Sequence, residues 1–160
     1  MKASTIKQLK DELSHKSAQE LKDLCLQLAR FKLENKELLT YLLFEANDED
    51  QYIVNCKTFI DIQFVEIGTN NAYYVRKKIR KILTSTKKLI RFSKKKDTEA
   101  QILLHFCKKL KNYNPYFKRS NRLQNIFQTQ MRMTSNAILK LHEDLQYDYQ
   151  QELDNLIDNG

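Results

Sequence analysis

The chain has 160 residues, a mass of 19.1 kDa, 41% hydrophobic residues and a net charge of +8, the size of one domain with enough apolar material for a core. Only two Gly and one Pro occur, too few for the turns of a β-sandwich or barrel, or for a collagen-like or low-complexity chain. No run approaches the ~18 apolar residues of a transmembrane helix, and the opening residues have no apolar stretch of the kind a secretory signal needs.

Apolar residues recur at helical spacing almost throughout. A short helix is predicted over 5–13, with Ile6, Leu9 and Leu13 on one side. Ser17 and Glu20 form a capping-box signature for a second helix carrying Leu21, Leu24, Cys25, Leu28 and Phe31. Asn35 reads as the next N-cap, ahead of Leu38, Leu39, Leu42 and Leu43. Residues 47–50 break the pattern and supply acids for the positive end of a following helix. From 52 to 67 the chain is apolar nearly all round. Phe59 to Phe64 alternates as a strand does, yet Ile53, Cys56, Ile60, Phe64 and Ile67 keep a three-to-four spacing, Gly68 is a stop, and no partner strand exists. A buried helix is the reading.

Asn70 or Asn71 caps a long helix reaching about Phe92, and Asp97 caps another with Ile102, Leu103, Phe106 and Leu110 inward. Asn114-Pro115 ends that helix, and Pro115 is placed to open the next. Phe127, Met131, Thr134, Ile138, Leu141, Leu145, Tyr149, Leu153 and Leu156 then follow at steps of three or four. They imply either one helix of nearly forty residues or two with a break near 134–136. The expected architecture is all-α: one domain over 1–160, a bundle or irregular array of helical hairpins with six to eight helices. It comprises N-terminal hairpins (1–68), basic helices (69–119) and a long C-terminal helix (120–158).

Charge is segregated along the chain. Residues 1–66 hold 9 basic and 12 acidic side chains, residues 67–142 hold 19 and 2, and residues 143–160 hold none and 6. The densest stretch runs from Arg76 to Lys96 with eleven cations and no acid. At about 100° per residue these lie opposite Val75, Ile79, Ile82, Leu83, Leu89 and Ile90. Crowded like charges repel by a few tenths of a kcal/mol per pair, so an anionic partner is the natural compensation. The expected anion-binding residues are Arg76, Lys77, Arg80, Lys81, Lys87, Lys88 and Arg91, on a basic face spanning 71–96. Three partners suit that face. The chain's own acidic end offers Glu143, Asp144, Asp148, Glu152, Asp154 and Asp158. Nucleic acid offers phosphates, with Tyr113, Tyr116 and Phe117 beside Lys118, Arg119 and Arg122 for stacking. An acidic protein or anionic membrane surface is the third.

Glu20-Leu21-Lys22-Asp23-Leu24-Cys25, followed by Asn35-Lys36-Glu37-Leu38-Leu39, resembles the SAP module, a small helix–turn–helix unit that binds DNA. The resemblance covers residues 17–44 and implies Lys36 and Lys32 as phosphate contacts. Ala29 and Glu34 stand where that family has its turn glycines. Leu9-Lys10-Asp11-Glu12-Leu13 and Ser17-Ala18-Gln19-Glu20-Leu21 also give the whole chain a likeness to small all-helical bacterial proteins of no assigned function, from which no site residue follows.

No catalytic constellation is legible. His15, His105 and His142 lack metal-ligand spacing, and His105 and Cys107 point apart on a helix. Two Gly exclude phosphate-cradling loops, the acids at 45–50 lack the spacing of a calcium loop, and no Glu-x-x-His occurs. Cys25, Cys56 and Cys107 are odd in number, widely spaced and set among apolar residues, as reduced core thiols in a cytoplasmic protein would be. The expected function is non-enzymatic binding without metal or cofactor, through the basic face toward an anionic partner. A nucleic-acid binder and a structural homo-oligomer joined through the C-terminal helix are the alternatives.

Overall fold

A computed structural model describes residues 2–68 and 71–158. The described residues form eight α-helices and no strand: α1 (Ile6–Ser14), α2 (Ala18–Phe31), α3 (Leu33–Thr40), α4 (Glu49–Val65), α5 (Ala72–Ser93), α6 (Lys96–Lys111), α7 (Asn121–Ile138) and α8 (Glu143–Asp158). A π-helical turn, Tyr41–Glu45, follows α3. The fold is all-α, and its contacts gather into two compact units, Met1–Phe44 and Glu45–Gly160.

The first unit holds α1 to α3. Ser17 accepts from the Glu20 amide and Glu20 reaches back to the Ser17 amide, completing the expected capping box. Thr5 and Gln8 build a second one ahead of α1. Asn35 is not an N-cap. Helix α3 begins at Leu33, and the Asn35 side chain donates instead through Nδ2 to the Leu28 carbonyl at 2.8 Å, closing the end of α2. The apolar stripes are real but uncovered. Of residues 2–44 only Tyr41 is buried, and Cys25, expected inside, is exposed. Three short helices offer one another too little surface to enclose their leucines.

The second unit has its core around α6, which packs on α4, α5, α7 and α8. Eight α6 residues are buried, among them Ala100, Ile102, Phe106 and Cys107, all at 0% exposure. Five residues at the predicted spacing in the fourth helix region, Ile53, Cys56, Ile60, Phe64 and Ile67, are all buried. That helix is nevertheless one-sided, because Val54, Ile62 and Val65 are exposed. Gly68 takes φ 65° where the chain leaves it, a backbone angle that favours glycine.

Asn71 caps α5 by accepting from the Tyr74 amide; Asn70, the other candidate, lies outside the described residues. Asp97 is not the cap of α6, which starts one residue earlier at Lys96. It sits in the first turn and accepts from the Tyr149 hydroxyl at 2.6 Å. Pro115 opens no helix: residues 112–119 form turns, and Ser120 caps α7 through the Leu123 amide.

The long C-terminal helix is two helices, and the break falls at 139–142 rather than 134–136. The Lys140 and Leu141 amides bond back three residues, to Ala137 and Ile138, which tightens the last turn of α7. Gln146 Nε2 then donates to the freed Leu141 carbonyl at 2.7 Å. Helix α8 turns back onto α6 and α7, burying Leu153.

Candidate anion-binding groove

The basic face divides into three parts. Helix α5 ends at Ser93, so Lys94, Lys95 and Lys96 lie beyond it, contrary to a face running to residue 96. Lys94 takes φ 59° at the helix end. Lys95 pairs with Glu49 at 3.0 Å, and Lys96 pairs with Glu99. Lys95 thereby ties the α5–α6 turn to the start of α4, while the Lys96 pair lies within α6. Lys78 is also occupied: its ammonium donates to the Glu66 carbonyl at 2.9 Å, closing the end of α4.

Of the seven expected residues, Arg76, Lys77 and Arg80 come together, within about 100° of the α5 surface. They line a groove of about 790 Å³ whose opposite wall is the first two turns of α7, with Arg122, Leu123, Asn125 and Ile126. Lys81 is exposed on the same helix but outside that lining. Lys87 and Lys88 are half-buried farther along, and Lys88 and Arg91 have interactions within the chain.

Among the described residues, no carboxylate lies within ion-pair distance of Arg76, Lys77, Arg80 or Arg122. The acidic end, one of the expected partners for this face, packs as α8 on α6 and α7. Lys111 fixes it there by donating to the Leu156 carbonyl.

The aromatic partners differ from those expected. Tyr113 and Tyr116 stack on each other at 5.7 Å, and the Tyr113 hydroxyl donates to the Gly68 carbonyl. Phe117 meets Phe127 edge to face at 5.5 Å. All three are half-buried and engaged inside the fold. The groove's aromatic is Tyr73, 62% exposed and set edge to face against Tyr74 at 5.6 Å. The sequence held a signal for it, since Tyr73 lies three residues before Arg76 and seven before Arg80, on the same side of a helix. The approach of α7 held none, being a tertiary contact.

Other titratable groups serve structure. His105 Nε2 lies 2.7 Å from the Asp61 carboxylate, which Lys109 also meets at 2.9 Å. Burial, the chief influence, holds His105 below its usual value despite Asp61. Burial pushes both Cys56 and Cys107 up to about 12. Lys36, which the SAP resemblance singles out, lines a second groove among leucines in the first unit, and Lys32 lies between α2 and α3. Among the described residues no group of three or more His, Cys, Asp or Glu is arranged to hold a metal ion. None of the helices is long and apolar enough to cross a membrane.

Comparisons with protein-family models, curated proteins and solved structures found no match to this chain.

Proposed function

We propose that the protein is a non-enzymatic binding protein that takes a single-stranded nucleic acid along the α5–α7 groove. The observation that carries this reading is the convergence of Arg76, Lys77, Arg80 and Arg122 from two helices with no carboxylate among the described residues to neutralise them. Four cations on an open groove suit a polyanion, whose bound counterions are released on contact. Tyr73 supplies an exposed ring beside those cations, and a ring stacks on any base. Single strands present unpaired bases to such a ring, whereas a duplex keeps them stacked. The oligomer reading has less support at the C-terminal helix, whose Leu153 and Tyr149 are engaged by its own chain.

Fluorescence anisotropy with a labelled single-stranded oligonucleotide tests the reading, on protein freed of co-purifying nucleic acid. Four phosphate contacts give about a fifty-fold loss of affinity between 50 and 200 mM salt, at a slope of about 0.7 per contact. Arg122→Gln lowers that loss to about twenty-fold. Tyr73→Ala weakens binding by about 1–3 kcal/mol and leaves the salt dependence in place. Binding that both variants leave unchanged removes the groove as the site. Binding to heparin but not to oligonucleotides keeps the anionic partner and removes nucleic acid.

A further inference from the structure

The Met1–Phe44 unit raises a different question, independent of the basic groove. It carries eleven exposed large apolar side chains, including Ile6 at 81%, Phe31 at 78%, Leu33 at 71% and Phe44 at 76%. A unit this small supplies little core of its own, and its helices of 9, 14 and 8 residues are short for isolated helices in water. Folding of such a unit normally draws on association.

We infer that this unit is a homodimerisation module: the apolar ridge of α1 from each copy seats in the groove between α2 and α3 of the other. That groove measures about 570 Å³ and is lined by Leu26, Leu33, Leu39, Leu43 and Phe44. Helix α1 presents Ile6, Leu9 and Leu13 at i, i+3 and i+7, the pattern of a helix that lies in an apolar groove. In its own chain that ridge is exposed, at 81%, 47% and 44%.

Charge favours a second copy as the occupant. Residues 1–44 carry eight basic and six acidic side chains, a small net positive charge, so two such units repel far less than two copies of the 67–142 region with 19 and 2. Glu12 flanks the Leu9–Leu13 edge of α1, and Arg30 and Lys36 stand among the groove residues to receive it. The arrangement is isologous, each copy giving one helix and one groove, so it closes at two.

The mass in solution and a mixing experiment test the proposal. By light scattering the full chain is expected at twice 19.1 kDa at about 100 μM, without nucleic acid. Leu9→Asp with Leu13→Asp charges the ridge negatively, and Leu33→Lys with Leu43→Lys charges the groove positively. Each double variant is expected to be monomeric, with the thermal unfolding of the Glu45–Gly160 unit unchanged by circular dichroism. An equimolar mixture of the two is expected to dimerise, because one seat joins an intact ridge to an intact groove and the other opposes the new aspartates to the new lysines. A monomeric wild-type chain, a dimer that either variant leaves intact, or a mixture that stays monomeric overturns the proposal.

Discussion

Burial sorts chemically identical side chains into different roles. Cys25 lies on the outside of α2, while Cys56 and Cys107 are buried and their thiols are pushed up to about 12. A thiol reagent at pH 8 is therefore expected to label one thiol per native chain quickly and the other two only on unfolding; fast labelling of all three is the contrary result. His105 is a half-buried base. Its folded value is held below 6.5, so on acidification the unfolded chain takes up the proton first. Stability is expected to fall as the pH drops from 6.5 toward that lowered value. Urea midpoints at pH 7 and pH 5 should show a smaller drop for His105→Gln than for wild type. Gln130 is 2% exposed, and its Oε1 has no hydrogen-bond partner among the described residues. A buried unsatisfied acceptor costs about 1–3 kcal/mol, so Gln130→Met is expected to raise the unfolding free energy by about 1 kcal/mol in urea titrations.

Among the helices, a cap is legible where its bond spans two to four residues and no distant partner competes for the side chain. Ser17 and Asn71 cap as their side chains predict, and Gly68 stops α4, whereas Asp48, read only as part of a break, is the cap of α4. Asn35 and Asp97, expected as caps, serve more distant partners instead, the Leu28 carbonyl and the Tyr149 hydroxyl. Glu49 looked like a first-turn acid and is one, yet its carboxylate also accepts from Ser93 and Thr98 and pairs with Lys95 at 3.0 Å. It thereby ties the start of α4 to the end of α5 and the start of α6. Glu49→Ala leaves those donors unpaired around a buried Thr98 and is expected to cost about 2–3 kcal/mol by chemical denaturation. The break between α7 and α8 was placed too early, because the apolar spacing runs on through it. Gln146 stabilises the break by bonding a carbonyl five residues back, and periodicity carries no trace of that bond.

Across the whole molecule, α6 is the centre of the Glu45–Gly160 unit. Its amides from Ile102 to Leu110 are expected to exchange most slowly with deuterium, being enclosed by four neighbouring helices. Composition and periodicity by themselves determined that the chain is helical, which residues of α4 to α7 face inward, and that cations crowd the middle of the chain. Those properties are local: they follow from the 3.6-residue turn and from the order of residues along it. Only the tertiary structure decided which cations are free. Lys78, Lys95 and Lys96 are bound by carbonyls and carboxylates of other turns, whereas Arg76, Lys77 and Arg80 face Arg122 across a groove. It also decided that the leucines of α1 to α3 lie uncovered while similar stripes in α4 to α7 form a core. An amphipathic helix specifies the face it will bury, but the surface that buries it belongs to another part of the fold.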